Sequence, residues 1–232
     1  MTAQRDYSAF DQLLMQVDNA LRTLSGQVQL TERANPADLV TTKPSQQAAP
    51  SQARDDKTAR QGEQSEFSES ARLMRINHAG EVAAQGLYQG QSLTARLPEV
   101  RQQMQRAAQE ENDHLKWCRQ RCEELGSHVS YLDPLWYLGS LTIGALAGAI
   151  GDKWSLGFVA ETERQVVQHL DGHLQRLPHD DTKSRAILEQ MKDDELQHAT
   201  NAMAAGAAEL PTPIKRAMRT VSRIMTRTSY WV

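Results

Sequence analysis

Glu111-Asn112-Asp113-His114 and Glu195-Leu196-Gln197-His198 decide how this chain folds. Each is a Glu-x-x-His word, and the i, i+3 spacing sets the two side chains about one turn apart on one helix face. Thirty residues before Glu111 stands Glu81, and thirty-two before Glu195 stands Glu163. Each half of the chain is therefore a lone glutamate on one helix and a Glu-x-x-His pair on the next. Four carboxylates and two imidazoles are the ligand set with which ferritin-like four-helix bundles hold two metal ions. Two divalent cations would balance the four carboxylates. Oxygen-rich ligation with two imidazoles suits iron or manganese better than zinc or copper. The matched hairpins point to an internal duplication.

Acidic residues abound, so position on the helix must select the ligands. Val159, Val166, Leu170 and Leu174 form an apolar stripe, and Glu163 falls within it. Glu161 falls instead with Gln165, Gln168 and Gly172 and is expected in solvent. A carboxylate aimed into a core is costly unless paired or metal-bound, which makes Glu163 the ligand candidate. Leu188, Met191, Glu195, His198 and Ala202 share a face, with Asp193 and Asp194 expected to point elsewhere. Ala107, Glu111, His114 and Cys118 line up in the same way, and Glu81 shares its face with His78, Ala84 and Tyr88. One Glu-x-x-His on a helix is weak evidence, because exposed residues often meet that spacing. Two on apolar faces, each preceded by a glutamate at nearly equal distance, are specific.

The rest of the chain reads as all-α. No run has the alternation and β-branched enrichment of strands. The 232 residues, 39% hydrophobic and 24% charged, suffice for one sizeable domain, and a net charge of −3 gives no case for nucleic-acid binding. Residues 1–30 are expected to hold an amphipathic helix, from about Tyr7 to Leu24. Residues 31–66, rich in Ala, Pro, Ser, Thr and Gln, read as a flexible linker. The bundle is expected over 67–232. Its helices would run from about Phe67 to Arg96, Glu99 to Leu125, Trp154 to Leu177 and Asp180 to Ala208, with stops at Pro98, Gly126, Pro178 and Pro211. Cys118 and Cys122 sit four apart, a helix spacing, and read as reduced, buried small side chains of a cytoplasmic protein. The N-terminus shows no cationic start followed by an apolar run, so no signal peptide is expected.

Two further segments stand apart. Asp133 to Gly151 opens with a candidate N-cap, Asp133, and with Pro134 at the first helical position. The sixteen residues Leu135 to Ile150 then carry no charge. This hydrophobic crossover helix is short of the ~20 residues needed to span a bilayer. It is expected either to lie in a membrane interface or line an apolar entrance to the metals, or to be a buried core helix. The tail, 211–232, carries Lys215, Arg216, Arg219, Arg223 and Arg227 and no acid, with Ile214, Met218, Val221 and Met225 at helix spacing. Each cation near an anionic surface is worth ~1 kcal/mol. The alternative is an ordinary solvated helix face.

Arg75-Ile76-Asn77-His78-Ala79-Gly80-Glu81, Leu87-Tyr88-Gln89-Gly90-Gln91, the two Glu-x-x-His words and the closing Tyr230-Trp231 resemble the di-iron demethoxyubiquinone hydroxylases of ubiquinone biosynthesis, from about Phe67 onward. The resemblance implies a di-iron centre, two iron ions per chain, on Glu81, Glu111, His114, Glu163, Glu195 and His198. It implies O₂-dependent ring hydroxylation of a polyprenyl methoxy-methyl-benzoquinol (demethoxyubiquinol), with an electron donor, at the cytoplasmic face of the cell membrane as a peripheral protein. It also implies that His169 stands near the metals as a proton or electron relay. Some family members follow that histidine with tyrosine; here Leu170 stands there. The residues alone leave a helix-surface histidine equally open, and they make His78 a partner of the ligands rather than a seventh ligand. A second copy of the chain or other ubiquinone-biosynthesis proteins are open as partners. Competing readings are ferritin-like iron storage, a di-metal oxidase of another lipid, and a metal-free membrane adaptor.

Overall fold

The computed structural model describes residues 9–27, 31–40 and 56–232, and among them every regular element is helical. In chain order these are α1 (Ala9–Ser25), a 3₁₀ turn (Pro36–Leu39), α2 (Asp56–Thr94), α3 (Pro98–Glu124), α4 (Asp133–Ile150), α5 (Asp152–Arg176), α6 (Thr182–Ala204) and α7 (Thr212–Ser229). Two antiparallel hairpins, α2–α3 and α5–α6, make a ferritin-like four-helix bundle. The crossover helix α4 and the basic helix α7 are added to its outside.

The expected linker over 31–66 is narrower than the composition implied. Residues 31–40 lie on the bundle, with Ala37 buried among the α6 side chains Ile187, Leu188 and Met191. α2 already begins at Asp56, because the stretch from there to Phe67 is rich in helix-forming Lys, Ala, Arg, Gln and Glu. Residues 41–55 fall outside the described residues. The other boundaries follow their sequence signals. Pro98 starts α3 and Gly126, at φ 67°, ends its last turn. Asp181 caps α6 by accepting from the Ser184 N–H at 3.0 Å. Asp152, at the start of α5, accepts from the N–H groups of Arg96 and Leu97, tying the α2–α3 turn to the second hairpin.

Asp133 is the first helical residue of α4 rather than its cap; Leu132 occupies the flanking position. The Asp133 carboxylate lies 3.1 Å from His78 Nδ1. His78 therefore joins α2 to the start of α4.

α4 runs parallel to α2 in backbone contact. Methyl groups placed on Gly86, Gly90 and Gly144 would overlap the carbonyl oxygens of Tyr137, Leu141 and Leu87. The words Gly86-x-x-x-Gly90 and Gly144-x-x-x-Gly148 are the reason the helices come so close. Polar groups then close across the seam: Tyr137 Oη donates to Gln89 Oε1, and Thr94 Oγ1 donates to the Ala145 carbonyl at 3.0 Å. α7 is pinned at its C-terminal end. Tyr230 Oη donates to Glu69 on α2 at 2.5 Å, Arg72 stacks on Tyr230 and Trp231, and Trp136 Nε1 donates to Ser229 Oγ at 3.1 Å.

Apolar side chains fill the bundle in two layers. One contains Leu73, Met74, Trp117, Leu170 and Leu188, the other Tyr88, Met104, Leu156, Val159 and Ala202. Cys118 and Cys122 belong to the first layer, where burial pushes both thiols up, Cys122 to about 12. They behave as small apolar side chains.

Gly90→Ala should cost about 1–3 kcal/mol of stability, because its methyl must force α4 away from α2. Gly139→Ala, on the open side of α4 with nothing within 4 Å, should instead be neutral or stabilising. Denaturant unfolding of the two variants checks the difference.

Candidate metal centre

Between the two apolar layers lies a cluster of ionisable side chains. Glu81, Glu111, His114 and Glu195, all buried, offer ligand atoms that lie within 4.8 Å of one another. His114 Nδ1 is 2.7 Å from Glu111 Oε2, 3.1 Å from Glu195 Oε1 and 3.5 Å from Glu81 Oε2. His198 faces the other oxygens of the same two glutamates, with Nδ1 3.0 Å from Glu195 Oε2 and 3.3 Å from Glu111 Oε1. Glu111 and Glu195 therefore each turn one oxygen toward each histidine. Glu163 stands next to Glu195, Glu111 and His198, and its Oε1 accepts from Tyr88 Oη at 2.5 Å. Among the described residues, Glu163 and His198 fall outside the tight group of four.

The donor set fits a cation. Both oxygens of Glu111 and Nδ1 of His114 are buried without a hydrogen bond of acceptable geometry, although they approach within 2.7 Å. Buried nitrogen and oxygen atoms that converge this closely are arranged to share a positive ion, whether a proton or a metal. The titration behaviour agrees. Burial, then repulsion from Glu111, pushes Glu81 well above the usual carboxylate range. Burial, then repulsion from Glu195 and Glu111, does the same to Glu163. Burial opposes charge on His114 and His198, yet the surrounding carboxylates raise both. Burial would raise Glu111 too, but the two histidines hold it low. The cluster draws in positive charge from whatever source is present.

The outward nitrogens of the two histidines are also held. His114 Nε2 meets Asp194 Oδ2 at 2.9 Å, and His198 Nε2 meets Glu110 Oε2 at 2.8 Å. Asp194 immediately precedes Glu195, and Glu110 immediately precedes Glu111. Each acid thus reaches across to the histidine of the other hairpin. The sequence expectation that Asp194 points elsewhere is corrected here. It lies off the ligand face of α6, but that side faces α3. The repeated acid before each Glu-x-x-His was the available signal. Glu161 is corrected as well. It is buried, held by Gln165 at 2.7 Å and near Lys215, because α7 covers a helix face that sequence alone left open.

A cavity of about 310 Å³ reaches Glu81 from the surface, walled by α2, α4, α5 and α7. It is lined mostly by apolar side chains such as Leu87, Ile143, Phe158 and Met218. His169 lies on its wall, with Nε2 buried and without a hydrogen-bond partner. Its ring packs edge-on against His173, centroids 4.1 Å apart, and His173 Nδ1 meets Asn77 Oδ1 at 2.8 Å. Burial lowers the pKa of both histidines, most strongly for His173, so the pair is neutral.

An all-helical bundle with a buried carboxylate–histidine centre beside an apolar cavity belongs to the ferritin-like metal-centre class. The family model for ubiquinone biosynthesis protein COQ7 matches residues 68–229, and the chain belongs to that family. Relatives described as 3-demethoxyubiquinol 3-hydroxylase include that of Nitrosococcus oceani, 55% identical over 98% of this chain and 99% of its own length. That of Stutzerimonas stutzeri is 54% identical over 99% of both chains. That of Nitrosomonas europaea is 63% identical over 71% of this chain and 79% of its own.

His173 binds its proton less readily in the fold than in the unfolded chain. As pH falls through the ordinary histidine range the unfolded state takes up the proton first, so stability is present above that range and declines below it. Thermal midpoints across that window should fall more steeply for the wild type than for His173→Gln.

Proposed function

We propose that this protein is a di-iron monooxygenase that hydroxylates the ring of a polyprenyl demethoxyubiquinol. The geometry that carries the reading is the straddling of Glu111 and Glu195, each with one oxygen toward His114 and one toward His198. In that arrangement Glu81, Glu111, His114, Glu163, Glu195 and His198 would hold two iron ions, with Glu111 and Glu195 lying between the two histidines. When bound, iron supplies O₂ activation, by which one oxygen atom becomes the new ring hydroxyl and the other leaves as water, with an electron pair from a reductant.

The chain's own residues bind and orient the substrate. The apolar cavity admits a quinol ring to the side of Glu81 and keeps bulk water away. His169 Nε2, neutral and unpartnered, accepts a hydrogen bond from a ring hydroxyl and can hold its proton while the new C–O bond forms, returning it to the product quinol. Asn77 Nδ2, also buried without a partner, donates to a ring oxygen. Asn77 Oδ1 meanwhile accepts from His173 Nδ1, fixing the tautomer of the histidine that buttresses His169.

The cavity mouth supports a membrane-bound substrate. The outer side of α4 exposes Leu135, Leu138, Leu146 and Ile150, and α7 exposes Val221 and Ile224. No helix among the described residues is long and apolar enough to cross a membrane. A peripheral protein that rests α4 and α7 on the cytoplasmic leaflet would take a polyprenyl tail directly from the bilayer. Arg216, Arg219, Arg223 and Arg227 are exposed on α7, whereas Lys215 is engaged with Glu209 and Glu161. Four cations rather than five are thus available for anionic headgroups, at ~1 kcal/mol each.

Expression in a ubiquinone-deficient strain lacking this hydroxylation should restore ubiquinone; persistence of the demethoxy quinone overturns the proposal. Glu195→Ala and Glu163→Ala should lose both iron loading, read by metal analysis, and product, while Glu161→Ala keeps both. On liposome flotation the wild type should float with anionic vesicles, and a Leu138→Glu/Leu146→Glu variant should stay at the bottom. Equal flotation of the two would remove the assignment of α4 to the membrane.

A further inference from the structure

The chain has an element that the family match, which begins at residue 68, leaves out. Residues 31–40 cross the outside of α3 and α6 directly behind the two histidines. The Glu32 N–H donates to Asp113 Oδ1 at 2.8 Å, and Arg33 Nε donates to Asp113 Oδ2 at 3.0 Å. Arg33 Nη1 then donates to Asp194 Oδ2 at 2.7 Å, the same oxygen that lies 2.9 Å from His114 Nε2. The Arg33 guanidinium also stacks on Trp117, 5.0 Å from the ring centroid. On the other side, the Glu32 carboxylate takes both terminal nitrogens of Arg106, at 2.8 and 2.7 Å. Arg106 Nε donates to Glu110 Oε1 at 2.8 Å, and Glu110 holds His198 Nε2.

Two adjacent residues therefore terminate two parallel chains. One runs Arg33–Asp194–His114, the other Glu32–Arg106–Glu110–His198. The outward bond of each imidazole decides which ring nitrogen carries the proton and which presents its lone pair inward. Gln190 Nε2 steadies Asp194 through Oδ1 at 3.0 Å, but something must still fix the Oδ2 side that meets His114 and the Arg106 that meets Glu110. Glu32 and Arg33 do so from outside the bundle, and the segment is anchored independently by Ala37 in the core and by Asn35 Nδ2 on Gln120 Oε1 at 3.1 Å.

We propose that residues 31–40 form a strap whose Glu32–Arg33 pair are positioning residues for the metal centre, fixing the carboxylates that orient His114 and His198. The proposal rests on the metal reading given above. It places part of the centre's rigidity in a segment that a bundle-only protein would lack. Arg33 carries the larger share, because it bonds Asp194 directly, whereas Glu32 acts through Arg106.

The test uses the full-length metal-free chain and cobalt(II), followed by its visible absorption, with release to a chelator as a second readout. Arg33→Ala should weaken cobalt binding and speed its release by up to about 10-fold, the lower end of what losing a histidine's own partner costs, because Asp194 itself remains. Glu32→Gln, at a half-exposed side chain that tolerates change, should give a smaller shift in the same direction. Asn35→Ala loosens the strap's anchor without touching either chain of contacts and should bind cobalt nearly as the wild type does. Unfolding with and without cobalt separates positioning from simple packing. A strap that only packs would lower both midpoints equally, whereas a positioning strap shrinks the gain that cobalt confers. Wild-type cobalt affinity and release in both Arg33→Ala and Glu32→Gln would overturn the strap alone. A wild-type chain that takes up no cobalt would overturn the metal reading, and the strap with it.

Discussion

Four glutamates and two histidines packed into the middle of a helical bundle are the constraint on which the rest of this structure depends. Isolated charges of this kind are expensive to bury, and like charges held together are more so. The fold answers by arranging every neighbour around that cluster. Tyr88 donates to Glu163, Asp194 and Glu110 hold the outer nitrogens of the histidines, and apolar layers close the bundle above and below. What the side chains leave unanswered is positive charge, and the converging buried atoms of Glu111 and His114 show where it belongs.

A centre sealed on all sides could store or hold a metal but could not act on a large substrate. Close packing of α4 on α2 gives access without breaking the bundle. Glycines at 86, 90 and 144 let the two backbones touch, so the hydrophobic crossover helix lies against α2 instead of inserting into the core. Its outer side stays apolar and exposed, and α7, pinned by Tyr230 and Trp136, closes the cavity from the opposite edge. Both sequence alternatives for this segment hold a part of the result. One side of α4 is buried against the bundle, and the other is open beside the cavity.

The comparison of sequence with structure turns on helix faces. Periodicity on a single helix placed Glu163 on the inward face of α5, and the structure sets it beside Glu195, Glu111 and His198. The same periodicity misplaced Glu161 in solvent because a stripe analysis cannot see that α7 later covers that face. It set Asp194 aside for the same reason, since a residue off the ligand face of α6 can still face α3. The linker composition of residues 31–66 hid the strap, because a buried alanine and one arginine in a Pro- and Ala-rich stretch carry no periodic signal.

The sequence by itself determined the all-helical class, the four bundle helices to within a few residues at most ends and the layout of a glutamate and a Glu-x-x-His in each of two hairpins. These follow from local rules: spacing of 3.6 residues per turn, proline and glycine punctuation, and the cost of a charge on an apolar stripe. Only the tertiary structure decided which oxygen faces which histidine, which acid holds each imidazole, how α4 and α7 frame the cavity, and where Glu32 and Arg33 reach. Those contacts join residues far apart in the chain, about 80 positions for Arg33 and Asp113 and 161 for Arg33 and Asp194. Their geometry depends on how the helices pack together, which no single helix encodes.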